Sequence, residues 1–176
     1  MEFKLDQAIS VLSRTPQALR TLLSGLADPW IWNNEGPETW SPYDVVGHLL
    51  YGEKTDWIPR LKIILHYGKG KTFEPFDRFA MFRESEGKSI DDLLDEFGRL
   101  RMDNLATLQQ LKLGSQDFLR QGMHPGLGEV NLGQMLATWV VHDLSHLAQI
   151  AEIMARQYRE QVGPWKAYLR VLQSDE

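Results

Sequence analysis

The chain has 176 residues, of which 43% are hydrophobic and 24% are charged, as expected for a single globular domain over residues 1–176. Its formal net charge of -5 argues against a nucleic-acid-binding protein, which would normally carry a basic patch. Cysteine is absent, which excludes a disulfide framework, a thiolate metal ligand and a cysteine nucleophile. No apolar run approaches the roughly 20 residues that span a bilayer, and the acidic N-terminus is unlike a signal peptide. We therefore expect a cytoplasmic protein without a membrane partner.

Apolar residues recur with helical spacing in four long segments. The first predicted helix covers about residues 3–26 and bends or restarts at Pro16. A loop follows, and a strong start signal at Ser41 and Pro42 then opens the second helix, which is predicted to run to about Tyr67. Pro59 lies inside this second helix and should bend it.

The third predicted helix is capped by Ser89 and ends at Gly114, and the fourth is capped by Asn131 and ends near Tyr158. Residues 72–88 are predicted to form a partly ordered crossover, and residues 115–130 a loop. Strand signals are nearly absent. The pattern predicts an all-α four-helix bundle with a long crossover between helices two and three, followed by a short C-terminal helix after Gly163.

Two histidines in the fourth helix, His142 and His146, are four positions apart and so lie on one face of that helix. Two imidazoles in this arrangement can bind one metal ion, and a third ligand must come from elsewhere. His48 is the best candidate, because it lies on the inward face of the second helix, and Gly52 one turn later leaves room beside it. Metal sites in bundles are built in this way, from facing helices.

The two remaining histidines fit the site less well. His66 shares the helix face of His48 but lies roughly 27 Å further along at about 1.5 Å per residue. It could join the same ion only if the helix broke at Pro59. His124 lies in a predicted loop and could cover the mouth of a site. Each of the five histidines could equally be an ordinary hydrogen-bonded residue of the core or surface.

Three polar residues are candidates for contacts around the metal or the substrate. Asp143 is interpreted as a polar contact to a neighbouring helix or as a group that holds a ligand. Gln149 shares the ligand face and could contact substrate or a metal-bound water, or be a buried amide. Glu53 could approach the site from the second helix, or form a solvated salt bridge. The sequence identifies no catalytic base.

Several segments resemble one known family, the DinB/YfiT-like superfamily. They are residues 40–49 (Trp-Ser-Pro-Tyr-Asp-Val-Val-Gly-His-Leu) followed by Glu53, residues 124–132, and residues 139–150 (Trp-Val-Val-His-Asp-Leu-Ser-His-Leu-Ala-Gln-Ile). The resemblance implies a four-helix bundle with a crossover and a metal on three histidines, which map onto His48, His142 and His146. It also implies zinc or nickel, and commonly a homodimer. Members of the superfamily include transferases and isomerases that depend on low-molecular-weight thiols.

Three neutral ligands leave coordination positions of a divalent ion open, which is the pattern of catalytic sites. Together with this pattern, the resemblance implies a metal-dependent enzyme that activates a small-molecule thiol, similar to an S-transferase, on a small-molecule substrate. Because the chain has no cysteine, the thiol would be a cosubstrate. The alternatives are a metal-dependent hydrolase, a metal-stabilised stress or binding protein without turnover, and a structural dimer whose histidines are incidental.

Overall fold

The computed structural model describes residues 2–173, which are mostly helical. None of the helices in this range is both long and apolar enough to cross a membrane. Two short strands, β1 (Gln121–His124) and β2 (Gly128–Asn131), form a hairpin. The helices are α1 (Leu5–Leu12), α2 (Thr15–Leu23), α3 (Asp28–Trp32), α4 (Pro42–Thr55), α5 (Trp57–Tyr67), α6 (Ala80–Glu84), α7 (Ile90–Gln110) and α8 (Leu132–Arg156).

Four helical segments build the bundle: α1 with α2, α4 with α5, α7, and α8. Helix α4 packs against both α7 and α8, while α2 packs on α7 and α1 packs on α8. These segments agree with the four predicted from the sequence, including the restart near Pro16. The segment between α5 and α7 contains α6, which packs on α4. The direction in which that segment crosses the bundle stays a prediction.

Three helices begin with a capping box in which a side chain accepts a hydrogen bond from a backbone N–H three residues on, and the reciprocal bond is also made. The sequence predicted all three starts. The pairs are Ser41 with Asp44, Ser89 with Asp92, and Asn131 with Gln134. These boxes set the entry points of α4, α7 and α8, and so help to fix which residues of these helices face inward.

The second predicted helix breaks earlier than expected. Helix α4 ends at Thr55 and α5 begins at Trp57, two residues before Pro59, where the bend was expected. A proline ring clashes with the carbonyl group four residues earlier and cannot donate a hydrogen bond to it. For Pro59 that carbonyl belongs to Thr55, so the distortion falls at Asp56.

One local prediction was wrong, and the structure adds detail in two other places. Residues 121–131 form the hairpin rather than a loop, because its four-residue strands are too short to show an alternating pattern. The hairpin lies directly on α5, where a Cβ atom at Gly122 would meet Ile64 Cγ1 at 2.7 Å. Asp28 and Pro29 start a short helix, α3, that was not predicted. The predicted short helix after Gly163 is present as two 3₁₀ helices, at 163–168 and 170–172.

A fully buried arginine, Arg101 of α7, forms hydrogen bonds to three other helices in the interior of the bundle. Its Nη1 donates to Asp143 Oδ2 at 2.6 Å, and its Nη2 donates to Asp143 Oδ1 at 3.0 Å and to Glu53 Oε1 at 2.8 Å. Nη1 also donates to the backbone carbonyl of Leu12 at 2.8 Å. The guanidinium therefore bridges α4, α7 and α8 and also holds the end of α1.

The two carboxyl groups bound by Arg101 have further donors. Thr15 of α2 donates to Asp143 Oδ2 at 2.6 Å, and Trp139 Nε1 donates to Glu53 Oε1 at 3.1 Å. Asn104 donates to Glu53 Oε2 at 2.9 Å. We call Arg101, Asp143, Glu53, Thr15, Asn104 and Trp139 the Arg101 network. It joins all four segments of the bundle.

The Arg101 network lies between two separate apolar clusters. One contains Leu50, Phe97 and Ile150, and the other contains Trp57 and Trp139 among others. In the α4–α5 segment, in α7 and in α8, the charged residue of the network lies between a residue of one cluster and a residue of the other. These charged residues are Glu53, Arg101 and Asp143, respectively. Because a one-residue shift of any helix would bury an unpaired charge, the network fixes how α4, α7 and α8 are aligned.

We predict that Arg101→Met lowers the free energy of unfolding by about 3–5 kcal/mol, because it leaves two buried carboxyl groups without a cation. Adding Glu53→Gln and Asp143→Asn should recover at least about 1 kcal/mol, since uncharged groups cost less to bury. Urea unfolding followed by circular dichroism measures both effects.

The matched control is Arg99→Met on the same helix. Arg99 is exposed and pairs with Asp103 at 3.5 Å, so its replacement should change stability by less than about 0.5 kcal/mol. Equal losses for Arg101→Met and Arg99→Met would contradict the assigned role of the Arg101 network.

Candidate metal centre

The structure brings three histidines together from two helices. His48 of α4 faces His142 and His146 of α8. The Nε2 atoms of His48 and His142 are 3.1 Å apart, and those of His142 and His146 are 3.2 Å apart. One potential ligand atom from each ring lies within 4.8 Å of the others, which makes the three histidines a group that could hold a metal ion.

These contacts suit a cation better than hydrogen bonds alone. A ring nitrogen either carries a proton or offers a lone pair, so His142 Nε2 cannot donate to one neighbour and accept from the other. Nitrogen atoms about 2.0–2.1 Å from one zinc ion would lie about 3–3.4 Å from each other. The observed separations of 3.1 and 3.2 Å fall in that range. The donor set therefore fits a divalent metal ion.

Gln149 orients one of the three rings. Its Oε1 lies 2.7 Å from His146 Nδ1 and accepts a hydrogen bond there, which leaves the lone pair of His146 on Nε2. The Nδ1 atoms of His48 and His142 are buried and have no hydrogen-bond partner among residues 2–173. Of these three rings, the one of His146 therefore has its tautomer specified by a hydrogen bond to Nδ1.

The environment keeps the imidazoles neutral. Burial, together with the neighbouring histidines, lowers the pKa of His48 to about 4 and the pKa of His142 to about 3. Burial also lowers the pKa of His146, although Gln149 and Asp143 act in the opposite direction. Neutral imidazole is the form that binds a metal, so no deprotonation is needed near pH 7.

Aromatic side chains surround the three rings. Trp40 lies 4.9 Å from His48, Phe76 contacts the same ring edge-on at 5.3 Å, and Trp57 contacts His142 edge-on at 5.2 Å, measured between ring centroids. Packing of this kind restricts ring rotation, which positions the nitrogen atoms before any ligand binds.

The carboxyl groups of Asp143 and Glu53 bind Arg101, so Asp143 makes the predicted polar contact to a neighbouring helix. Asp143 follows His142 in the chain, but its side chain is fully buried against Arg101. Glu53 also binds Arg101, in a salt bridge that is buried and not solvated. Both side chains thus hold the helices that carry the histidines. Among residues 2–173, the group that could hold a metal ion therefore consists of the three imidazoles of His48, His142 and His146.

A cavity of about 280 Å³ opens beside His48 and His142. Its wall is mainly apolar and aromatic, with polar groups from α5, α8 and the hairpin. The apolar residues are Trp57, Phe73, Phe76, Val130 and Met135, and the polar ones are Asp56, Arg60, His124, Gln134 and Thr138. We call this space the apolar cavity.

A second cavity, of about 460 Å³, reaches the other side of the cluster at His146 and Gln149. Its lining is strongly charged and includes Arg78, Glu35, Glu38, Glu152 and Arg156. We call it the charged cavity. The three histidines therefore lie between two cavities of different chemistry.

No functional role was predicted from the sequence for Asp56 and Arg60, which line the apolar cavity. Asp56 Oδ1 lies 2.5 Å from Arg60 Nε. Burial raises the pKa of Asp56 to about 6, although the Arg60 guanidinium lowers it. The break between α4 and α5, which Pro59 causes, places this pair beside the cavity. His66, in contrast, is exposed, bonds the Lys62 carbonyl and lies outside the cluster.

The model of the DinB superfamily matches residues 12–150. The chain belongs to this superfamily. A solved structure, YfiT from Bacillus subtilis, is similar with a TM-score of 0.75 and 25% sequence identity, over 86% of each chain. It is described as a probable metal-dependent hydrolase with an unusual four-helix bundle topology. A search of curated proteins found no match. The predicted family and the helical bundle are thereby confirmed.

We predict that Gln149→Leu weakens metal binding by about 10- to 100-fold, because the ring of His146 loses the acceptor that holds its tautomer. Gln149→Glu keeps an acceptor at the same position and should bind metal at least as tightly as the parent chain. Competition with a chromogenic chelator measures both affinities. Equal affinity for Gln149→Leu and the parent chain would refute the role given to Gln149.

Proposed function

We propose that the chain is a divalent-metal-dependent enzyme in which His48, His142 and His146 bind the ion. The observation that carries the proposal is the convergence of three Nε2 atoms beside a cavity. Three imidazole nitrogens suit zinc or nickel. When bound, such an ion lowers the pKa of a coordinated nucleophile and polarises carbonyl groups.

Hydrolysis is the reaction that we propose first. The similar structure of YfiT is described as that of a probable metal-dependent hydrolase, and the histidine cluster here opens into an apolar cavity that would hold the organic part of a substrate. Trp57 and Phe76 form walls of that cavity and also contact the histidine rings. A substrate between these walls would lie next to the three histidines.

A thiol-dependent transfer is the second candidate, and the charged cavity favours it. Two molecules could approach the centre from opposite sides, with an electrophile in the apolar cavity and a polar thiol beside Gln149 and Arg78. Because the chain contains no cysteine, the thiol would have to be a small cosubstrate.

The test compares metal-loaded protein, protein stripped with a chelator, and reloaded protein in the hydrolysis of 4-nitrophenyl esters. We expect stripping or His142→Ala to lower the rate by at least about 100-fold, and reloading to restore the stripped protein. His66→Ala is the control, because His66 is exposed and lies outside the cluster. Identical rates for loaded, stripped and His142→Ala protein would refute a metal-dependent hydrolase.

A parallel assay separates the two reactions. It follows the loss of thiol from glutathione or free cysteine in the presence of a small electrophile such as 1-chloro-2,4-dinitrobenzene. If metal accelerates thiol consumption and leaves ester hydrolysis unchanged, the result supports a transferase and contradicts the hydrolase. Acceleration of ester hydrolysis without any effect on thiol consumption supports the hydrolase.

A further inference from the structure

We infer that the apolar cavity selects a small, largely apolar substrate with one anionic group, which Arg60 and His124 bind. This inference rests on the proposed function in one respect, which is that the reacting end of the substrate lies at the histidine cluster. It adds the substrate class and two residues that determine specificity.

The size and walls of the cavity limit the body of the ligand. Its volume of about 280 Å³ lies near the lower end of the range of about 300–1,000 Å³ typical of ligand pockets. Three aromatic rings, those of Trp57, Phe73 and Phe76, line it. A flat or aromatic group of modest size fits such walls.

Arg60 supplies the positive charge of the cavity. Its side chain is only 12% exposed, its Nε pairs with Asp56, and its guanidinium lies 5.4 Å from the centroid of the Phe73 ring. Among residues 2–173, no acceptor bonds the Nη atoms of Arg60. A guanidinium held in this way presents a fork of N–H donors, which matches the two oxygens of a carboxylate.

Asp56 positions this fork without occupying it. Its Oδ1 lies 2.5 Å from the Nε of Arg60, so the ion pair is made through Nε. Asp56 is itself buried at the break between α4 and α5, so its backbone is fixed by that break. Arg60 is thereby held in one orientation before an anion arrives, which reduces the entropic cost of binding.

His124 adds a second donor. The backbone N–H groups of Gly126 and Leu127 both donate to its Nδ1, each at 3.1 Å, so the ring proton lies on Nε2. Burial, followed by the Arg60 guanidinium, lowers the pKa of His124, which keeps the ring neutral. The hairpin turn thus fixes the tautomer with Nε2–H as the donor.

The two donors flank one aromatic ring. Arg60 lies over the Phe73 face, and the His124 ring is perpendicular to Phe73 with centroids 6.1 Å apart. An anionic group beside Phe73 could therefore meet both donors while its apolar part extends along the wall towards the histidine cluster. A neutral analogue could not give the two donors a charged acceptor, and sites built to pair a buried polar group discriminate strongly.

The test measures binding of 3-phenylpropionate and of its neutral amide, 3-phenylpropanamide, to the metal-loaded full chain by calorimetry. We expect the carboxylate to bind at least about tenfold more tightly. Arg60→Gln should abolish this preference, Arg60→Lys should retain part of it, and His124→Phe should reduce it. Arg99→Gln is the matched control, because Arg99 also pairs with an aspartate four residues away but on the surface.

A carboxylate could also bind the metal ion directly, so the same titrations are repeated on chelator-stripped protein. If Arg60→Gln abolishes the preference for the carboxylate in both the metal-loaded and the stripped protein, the inference is supported even if no metal-dependent activity is found. A preference that disappears with the metal and is unchanged in Arg60→Gln overturns it and leaves the proposed function intact. If the parent chain binds the acid and the amide equally tightly, that result alone overturns the inference.

Discussion

The position of the histidine cluster depends on one buried guanidinium. Arg101 binds Asp143 of α8 and Glu53 of α4 within the layer between the two apolar clusters. A buried ion pair of this kind contributes little net stability, because desolvation offsets the Coulomb attraction, but it penalises every arrangement that leaves a partner alone. Asp143 adjoins His142 on α8, and Glu53 follows His48 on α4. The penalty therefore disfavours any alignment of α4 and α8 that would separate their imidazoles.

The same pairing shapes the chemistry of the cluster. The carboxyl groups nearest to the histidines in sequence are held by Arg101, so only neutral nitrogen donors converge. A divalent ion held by such donors would keep its full charge, which would favour activation of a bound nucleophile. The cavities on either side then differ in the partners they can admit, since one is walled by aromatic rings and the other by charged side chains.

Features with a local cause could be predicted from the sequence. The capping boxes at Ser41 and Ser89 depend on residues three apart, and the spacing of His142 and His146 follows from helix geometry. Features that depend on distant partners could not. Arg101 meets Asp143 across 42 positions and resembles an ordinary surface charge on α7. The cavity pair Asp56 and Arg60 depends on where a proline distortion falls, and the hairpin strands are too short to show a period.

The central claim is that the Arg101 network holds three histidines as one metal centre. Crystals of the metal-loaded chain, measured above and below the absorption edge of the metal, test it most directly. The account predicts one anomalous peak per chain, about 2.0–2.1 Å from Nε2 of His48, His142 and His146 for zinc, with Asp143 still bound to Arg101. An ion located elsewhere, or coordinated by Asp143 in place of one of these histidines, would contradict it.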